Sequence, residues 1–504
     1  RRQRQMCIRD SVVICLAHLG VDGESKPYRS TDLYAAVKGI DFIIDGHSHT
    51  VMTKGENGEP IQSTGTAFAN IGVIVIDDAT KKIESNSLFE IKEDTAKDAT
   101  VAAAAQKIID RIDKEYGAVF AKSEVVLNGA KAPNGNRDSE TNNGDLITDA
   151  MVWKILQDKE SLTVDADHVV AVTNGGGIRK AINPGDVTKK NINEVLPFGN
   201  TVVTIYITGA ELLEALEAST YCTPDAIGGF PQVSGINYTI STAVAYDANA
   251  ETYPASTYYG PKSINRVTIN SINGKEFKAD DTYAVITNDF CGGGGDTYYA
   301  FAAATAKFDT GIPLDEVVME YITAELKGVI GKQYAAPQGR ILMNPFADVK
   351  ASSWFGKYVI DLYNDGIING TSATTYAPNN TLTWAAALKL LLVSNGDLKA
   401  ADATGADWSK NAIAKAAELG LVAADLDGAK AISRLEFCQV AAKLNKLAES
   451  KTESKFTDCT DGYVMALVDA KVISGMTETT FEPAASLTRA QIAKILYQLT
   501  LIEK

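Results

Sequence analysis

The stretch Val169–Arg179, VVAVTNGGGIR, decides how the centre of the chain is read. Val169–Thr173 is a short run of β-branched and small apolar residues, the pattern of a buried strand. It stops at Asn174 and three glycines, where the lack of a Cβ lets the backbone turn sharply. Open α/β sheets hold ligands just beyond the carboxyl ends of their strands. Taken alone, such a turn is a weak signal and reads as a tight connection. Arg179 at its end adds a planar guanidinium fork suited to phosphate or carboxylate.

Outward from this stretch, strand-like and helix-like segments alternate from about Lys122 to Met343. Thr201–Ile207, Ala210–Glu217, Asn265–Ile269 and Thr282–Thr287 are examples, and the alternation predicts an α/β domain over 121–343. Ile236–Pro261, rich in Ser, Thr, Tyr and Ala, is expected as loop or edge strand. Towards the N-terminus, Val12–Leu16 (VVICL) and Ile40–Ile44 (IDFII) read as buried strands of a layered α/β unit over 1–94, with Asn70–Asp77 as a further strand. The alanine-rich Thr95–Tyr116 has apolar residues at helical spacing and is expected as the connecting helix of 95–120. Residues 1–11 (RRQRQMCIRDS) are basic and patternless; they are read as non-native, Cys7 with them, and the natural N-terminus as lost.

After Asn344 a phrase recurs. Leu382–Ala385 (LTWA), Ile432–Leu435 (ISRL) and Leu487–Ala490 (LTRA) follow one another at near-constant spacing. Phe346-Ala347-Asp348 is echoed by Phe456-Thr457-Asp458, and Gly366–Gly370 with Tyr376-Ala377-Pro378 by Val472–Gly475 with Phe481-Glu482-Pro483. Such periodicity predicts three helical units, 344–396, 397–450 and 451–504, each burying a face against its neighbours. The fold class expected is therefore multidomain α/β (α+β), ending in an all-α repeat bundle.

The bulk numbers narrow the partners. A formal net charge of −15 over 504 residues argues against a nucleic-acid polymer, which needs a basic face. No apolar run approaches the roughly 20 residues of a spanning helix. The six cysteines, Cys7, Cys15, Cys222, Cys291, Cys438 and Cys459, form no C-x-x-C pair and read as mostly free thiols.

Three of the four histidines lie within the first fifty residues. His18 follows one predicted strand in A-H-L-G; His47 and His49 follow the next in D-G-H-S-H-T. They read either as ordinary loop histidines or as three imidazoles delivered to one sheet edge, a donor set suited to zinc and similar ions.

A-H-L-G followed by G-H-S-H-T resembles the closing metal-ligand motifs of calcineurin-like metallophosphatases, in their 5′-nucleotidase branch. The resemblance implies His18, His47 and His49 as ligands towards two divalent ions (zinc, manganese or similar), which in a complete site bridge a hydroxide. The family's Asp-x-His pair, bridging aspartate and Asn-His segment with the catalytic histidine would precede residue 1. The chain is therefore expected to be a catalytically inactive fragment, with 1–94 a partial metallophosphatase sandwich.

Arg137–Leu146 (RDSETNNGDL), Asn174–Arg179, Pro197–Asn200 (PFGN) and Asn288–Asp296 (NDFCGGGGD), with Gly339-Arg340-Ile341 at the end, resemble in order the substrate-binding C-terminal domain of 5′-nucleotidases. On that resemblance Phe198 and Phe290 stack the nucleobase, and Asp296 accepts from the ribose hydroxyls. Arg137, Arg179, Asn174 and Asn200, with Gly176 and Gly177, hold the polar and anionic part. Alone, each phenylalanine reads as core; its glycine and asparagine neighbours, which expose rather than bury, argue otherwise. Four glycines at Gly292–Gly295, where the family has a bulkier residue, predict a looser loop before Asp296, and Asp145 replaces a more usual asparagine.

The C-terminal units resemble surface-layer homology repeats, which bind anionic secondary polysaccharide of Gram-positive-type cell walls. Arg434 and Arg489 fill the arginine position of that family; Trp384 occupies it in the first unit, whose groove is expected to bind weakly or not at all. The function implied is an extracellular, wall-anchored 5′-nucleotidase. A UDP-sugar hydrolase, a 2′,3′-cyclic nucleotide phosphodiesterase, and a non-catalytic wall protein that captures nucleotides or adheres to surfaces are the alternatives.

Overall fold

The computed structural model describes residues 12–23, 25–26, 28–244, 253, 261–399 and 401–502. The basic segment 1–11 with Cys7, and most of the stretch 245–260, lie outside the described residues. Those described fall into two units. The first runs to Ile236 and takes in 253, 261–265 and 272–338; the second takes in 237–244, 266–271 and 339 onward.

In the first unit, Val169–Asn174 is a strand buried along its whole length. It lies in a five-stranded sheet ordered Pro231–Ser234, Val169–Asn174, Thr282–Asn288, Thr201–Thr208, Ala306–Pro313. Val169–Asn174 and Thr282–Asn288 run parallel, so both deliver their last residues, Asn174 and Asn288, to one edge of the sheet. Strands covered on both faces need apolar residues throughout, and Val170, Val172, Val285 and Ile286 are fully buried. Burial of each such side chain stabilises the fold by about 1.5–3 kcal/mol.

Helix Asn142–Leu156 covers one side. Thr141 caps it by accepting from the Gly144 amide, and it buries Leu146, Ile147, Ala150 and Met151. Gly209–Ser219 is opened by a capping box between Thr208 and Glu211. A smaller sheet of Val329–Ile330, Val119–Ser123 and Gly185–Thr188 flanks this core.

The N-terminal segment of this unit forms a four-stranded sheet ordered Ile14–Leu16, Phe42–Ile44, Ile61–Thr64, Val51–Met52. Phe42, Ile43 and Ile61 are buried, but Leu16 is 82 % exposed. The expectation of two buried strands is thus corrected for the first, which sits at the sheet edge with one neighbour. A hairpin of Asn70–Ile76 and Ile83–Glu90 follows. The connecting helix runs Ala99–Tyr116, starting four residues later than predicted because Asp98 caps it, accepting from the Val101 amide; none of its residues is buried.

In the second unit, Ile236–Ser241 is the middle strand of a sheet ordered Val267–Ile272, Ile236–Ser241, Ile341–Asn344. That corrects the loop-or-edge expectation: polar threonines and serines are compatible with a central strand when its backbone pairs on both sides. The predicted boundary at 343–344 falls inside the strand Ile341–Asn344, which pairs parallel with Ile236–Ser241.

Beyond it the described residues form the helices Gly356–Asn364, Trp384–Asn395, Trp408–Glu418, Arg434–Leu444, Gly462–Asp469 and Arg489–Thr500, joined by turns and isolated β-bridges. Their apolar faces share one core that includes Phe346, Tyr376, Phe437, Phe481 and Leu496. The repeats close on one another in a ring. The Trp384 amide donates to Lys430 O, the Arg434 amide to Ala485 O, and the Arg489 amide to Asn380 O, so each helix start leans on the turn of the next repeat and the third returns to the first. No helix among the described residues is long and apolar enough to cross a membrane.

Candidate functional site

A cavity of about 1160 Å³ in the first unit is lined by residues drawn from widely separated stretches between His18 and Asp296. His18, His47 and His49 stand on its wall with Arg137, Asn174, Gly176, Gly177, Arg179, Phe198, Asn200, Phe290 and Asp296. Twelve residues singled out from sequence therefore meet in one space. Arg434 and Arg489 belong to the second unit.

The turn at Asn174 is built by close backbone approach. The Gly175 amide donates to Phe230 O and the Gly176 amide to Gly228 O, both at 2.7 Å. A Cβ on Gly175 would lie 1.6 Å from Asn136 O, so only glycine fits there. Arg179 Nη1 donates to Gly176 O at 3.1 Å, and its guanidinium lies 5.7 Å from the centre of the Phe198 ring.

Phe198 is 60 % and Phe290 43 % exposed. Large aromatic faces left open beside glycines are available for stacking. Gly295 lets the second ring lie against the backbone: a Cβ there would come within 2.5 Å of Phe290 Cε2. The four-glycine loop, expected to be loose, is folded. Asp289–Gly292 forms a helical turn capped by Asn288, whose side chain accepts from the Cys291 amide. Asp296, 3 % exposed, adopts left-handed backbone with φ of 50°. A chain of amides fixes its carboxylate. Asn174 Nδ2 donates to Asp296 Oδ2 at 2.8 Å, and Asn288 Nδ2 to Asn174 Oδ1 at 3.0 Å and to Thr173 Oγ1 at 2.9 Å.

Several contributors were missed by sequence reasoning. Lys131 and Lys180 also line the cavity, giving it four cationic side chains against Asp22, Glu194 and Asp296. Isolated lysines in loops carry no spacing signal. Asn288, two residues before a recognised phenylalanine, is the hub of the amide chain. Asn200, assigned to substrate, has its amide nitrogen on Asp289 Oδ1 at 2.6 Å. Asp145, at the position of a more usual asparagine, accepts through Oδ2 from the Gln338 amide at 3.1 Å.

At the histidine edge, Asp45 joins the two turns by accepting from the Leu19 and Gly20 amides at 2.9 and 3.3 Å. The His18 and His47 rings stand edge-on with centroids 5.2 Å apart. His47 and His49 both have positive φ, 67° and 54°, uncommon for residues with a Cβ and a mark of imposed geometry. Burial, then the charges of Arg179, Lys131, Arg137 and His47, keep the His49 imidazole below its ordinary pKa, which favours the neutral, electron-donating form. Asp45 Oδ2 is buried without a hydrogen-bond partner among the described residues. Even so, no three His, Cys, Asp or Glu side chains among the described residues converge as a metal group.

In the second unit, Arg489 Nε donates to Tyr376 O at 2.7 Å and Nη2 to Asn369 O at 2.8 Å, with the guanidinium 4.3 Å from the Tyr376 ring centre. Arg434 is 7 % exposed and lies 4.7 Å from the Phe481 ring centre. Its Nη2 donates to Ser474 O and its Nη1 to Met476 Sδ, while Nε has no hydrogen-bond partner among the described residues. Trp384 packs at the remaining junction with 7 % exposure.

Residues 119–303 match the family described as 5′-nucleotidase, C-terminal domain. Residues 345–387 and 458–493 match the S-layer homology domain; these fall in the first and third of the predicted repeats. Among curated proteins, the chain is 33 % identical over 347 residues to the trifunctional nucleotide phosphoesterase protein YfkN of Bacillus subtilis, covering 65 % of this chain and 21 % of that protein. It is 26 % identical over 360 residues to 5′-nucleotidase of Homo sapiens, covering 65 % and 58 %. A solved 5′-nucleotidase precursor of Thermus thermophilus is 26 % identical, with a TM-score of 0.44 over 61 % of this chain and 60 % of that one. The chain thus spans about a fifth of the Bacillus protein and somewhat over half of the human one.

Proposed function

We propose, of a chain that carries a 5′-nucleotidase C-terminal domain at residues 119–303 and S-layer homology domains at 345–387 and 458–493, that it is the substrate-binding and wall-anchoring part of an extracellular nucleotidase. The observation that carries this reading is the single cavity joining two open phenylalanine faces, a buried aspartate and four cations. That is the donor and acceptor set of a nucleoside 5′-phosphate. Phe198 and Phe290 stack the base, worth about 1–3 kcal/mol per stacked base. Asp296, held by Asn174, accepts from the ribose hydroxyls. Arg137 and Arg179, with Lys131 and Lys180, neutralise the phosphate. Asn174, Gly176 and Gly177 shape the turn against which the substrate rests.

Hydrolysis of the phosphate ester belongs to the proposal for the whole protein, with two divalent ions such as zinc or manganese. Towards them this chain offers His18, His47 and His49. The 504 residues are proposed to bind AMP in this cavity. The helical repeats are proposed to hold the protein to anionic wall polysaccharide of a Gram-positive-type cell. Arg434, whose Nε has no hydrogen-bond partner among the described residues, supports this more strongly than Arg489, whose Nε and Nη2 hold backbone carbonyls.

Calorimetry of the full chain with AMP tests the central claim. Binding that drops about fivefold or more in Phe290→Ala is expected; no binding, or equal binding by the variant, refutes it. Assays of the longer protein with AMP, UDP-glucose and a 2′,3′-cyclic nucleotide separate the ester classes, and turnover of another substrate with AMP untouched would overturn the nucleotidase reading. Sedimentation with purified cell walls, lost in Arg434→Ala, tests the anchor.

A further inference from the structure

The two stacking rings come from distant parts of the sequence, and each is partly exposed, so packing alone does not fix the gap between them. Phe198 sits in the turn after helix Lys189–Val195. Phe290 sits in the helical turn Asp289–Gly292. One side-chain hydrogen bond joins the two turns next to the rings: Asn200 Nδ2 donates to Asp289 Oδ1 at 2.6 Å. Asn200 lies two residues after the first phenylalanine, and Asp289 immediately precedes the second. Both ends of this bridge are anchored. Asn200 O accepts from the Leu314 amide at 2.8 Å. Asp289 follows Asn288, which is tied to Asn174 and Thr173. A carboxylate accepting from an amide gives a charge-assisted bond, shorter and stronger than a neutral one.

We propose that Asp289 is a positioning residue: through Asn200 it sets the separation of Phe198 and Phe290, and so how tightly a nucleobase is held. The inference rests on the stacking role given above to the two rings. It removes Asn200 from direct contact with substrate and gives it a role in the frame of the pocket. It also predicts a division of labour, because the bond joins the two turns that carry the rings. Loss of the brace should weaken ligands that carry a base and leave a base-free phosphate unaffected.

The test uses the full chain and calorimetry with AMP, adenosine and ribose 5-phosphate. Asp289→Ala and Asn200→Ala should each weaken AMP and adenosine by about fivefold or more, and the double variant should be no weaker than either single one. Ribose 5-phosphate should bind all three as it binds wild type. Asp289→Asn retains an oxygen that accepts from Asn200 and should bind within about twofold of wild type. If Asp289→Ala fails to fold, Asn200→Ala removes the same bond and decides the matter. The inference is overturned if the alanine variants bind adenosine as wild type does. It is also overturned if they lose ribose 5-phosphate equally, or if Asp289→Asn is as weak as Asp289→Ala. Wild-type protein that binds ribose 5-phosphate but not adenosine refutes the stacking reading itself, and the brace falls with it.

Discussion

Replacing Gly295 with alanine separates the pocket from the fold. The new methyl carbon would stand 2.5–2.7 Å from three carbons of the Phe290 ring. Carbon atoms rest at about 3.5–4.0 Å, so the ring must retreat by roughly 1 Å or swing to another rotamer. With 43 % of its surface in solvent, Phe290 can do so at a cost of about 1 kcal/mol, a shift of a few degrees in Tm. The ring then no longer lies where a base would meet it. One lost stacking face is worth about 1–3 kcal/mol, roughly 5- to 150-fold in Kd. Gly175→Ala is the contrast. Its methyl would lie 1.6 Å from the backbone oxygen of Asn136, an atom with no rotamer to yield, so a loss of at least about 3 kcal/mol of stability is expected. Thermal melts and AMP calorimetry on both variants give the readout. Wild-type affinity in folded Gly295→Ala would refute the placement of Phe290 against that glycine. So would a collapse in Tm as large as that of Gly175→Ala.

Two further outcomes follow from charged groups away from the pocket. His168 bonds to Asp167 at 2.6 Å and to Asp281 at 3.4 Å, and chiefly the Asp167 bond, then the Asp281 bond, raises its pKa above 6.5. A raised folded pKa contributes stability below the unfolded value that disappears as pH climbs through the folded one. His168→Gln should therefore melt lower than wild type near about pH 5 and together with it near about pH 9; a gap that widens at high pH would contradict the sign. Lys275, then His168, holds Asp167 down to about 2, so its share of stability is lost as pH falls below about 4 through that value. Arg489→Ala removes two charge-assisted bonds to the carbonyls of Tyr376 and Asn369. It should cost about 3 kcal/mol, read by chemical denaturation; an unchanged midpoint would mean the ring of repeats does not depend on that junction.

Much of this was written in local sequence. The strand at Val169 needs only β-branched residues on both faces. The three helical repeats announce themselves by periodicity, and the phrases around Asn174, Phe198 and Phe290 carry their own glycines. Histidines placed after two strands were legible because a parallel sheet puts both strand ends on one edge. Other features were not legible, because they depend on partners far apart in the chain. Leu16 looks as buried as Ile43 until the strand order makes one an edge and the other a neighbour on both sides. Ile236–Ser241 looks like loop until Ile341–Asn344 pairs with it. Four glycines look loose until Asn174, over a hundred residues away, fixes Asp296. The hydrogen bond from Asn200 to Asp289 leaves no mark in the sequence, for the two lie 89 residues apart. Sequence alone determined the elements, the repeat architecture and the chemical types at the pocket, since these follow from periodicity and local backbone demands. Only the tertiary structure brought those groups to one cavity and showed which of them hold one another, because a hydrogen bond is set by distance in space and leaves no spacing in the chain.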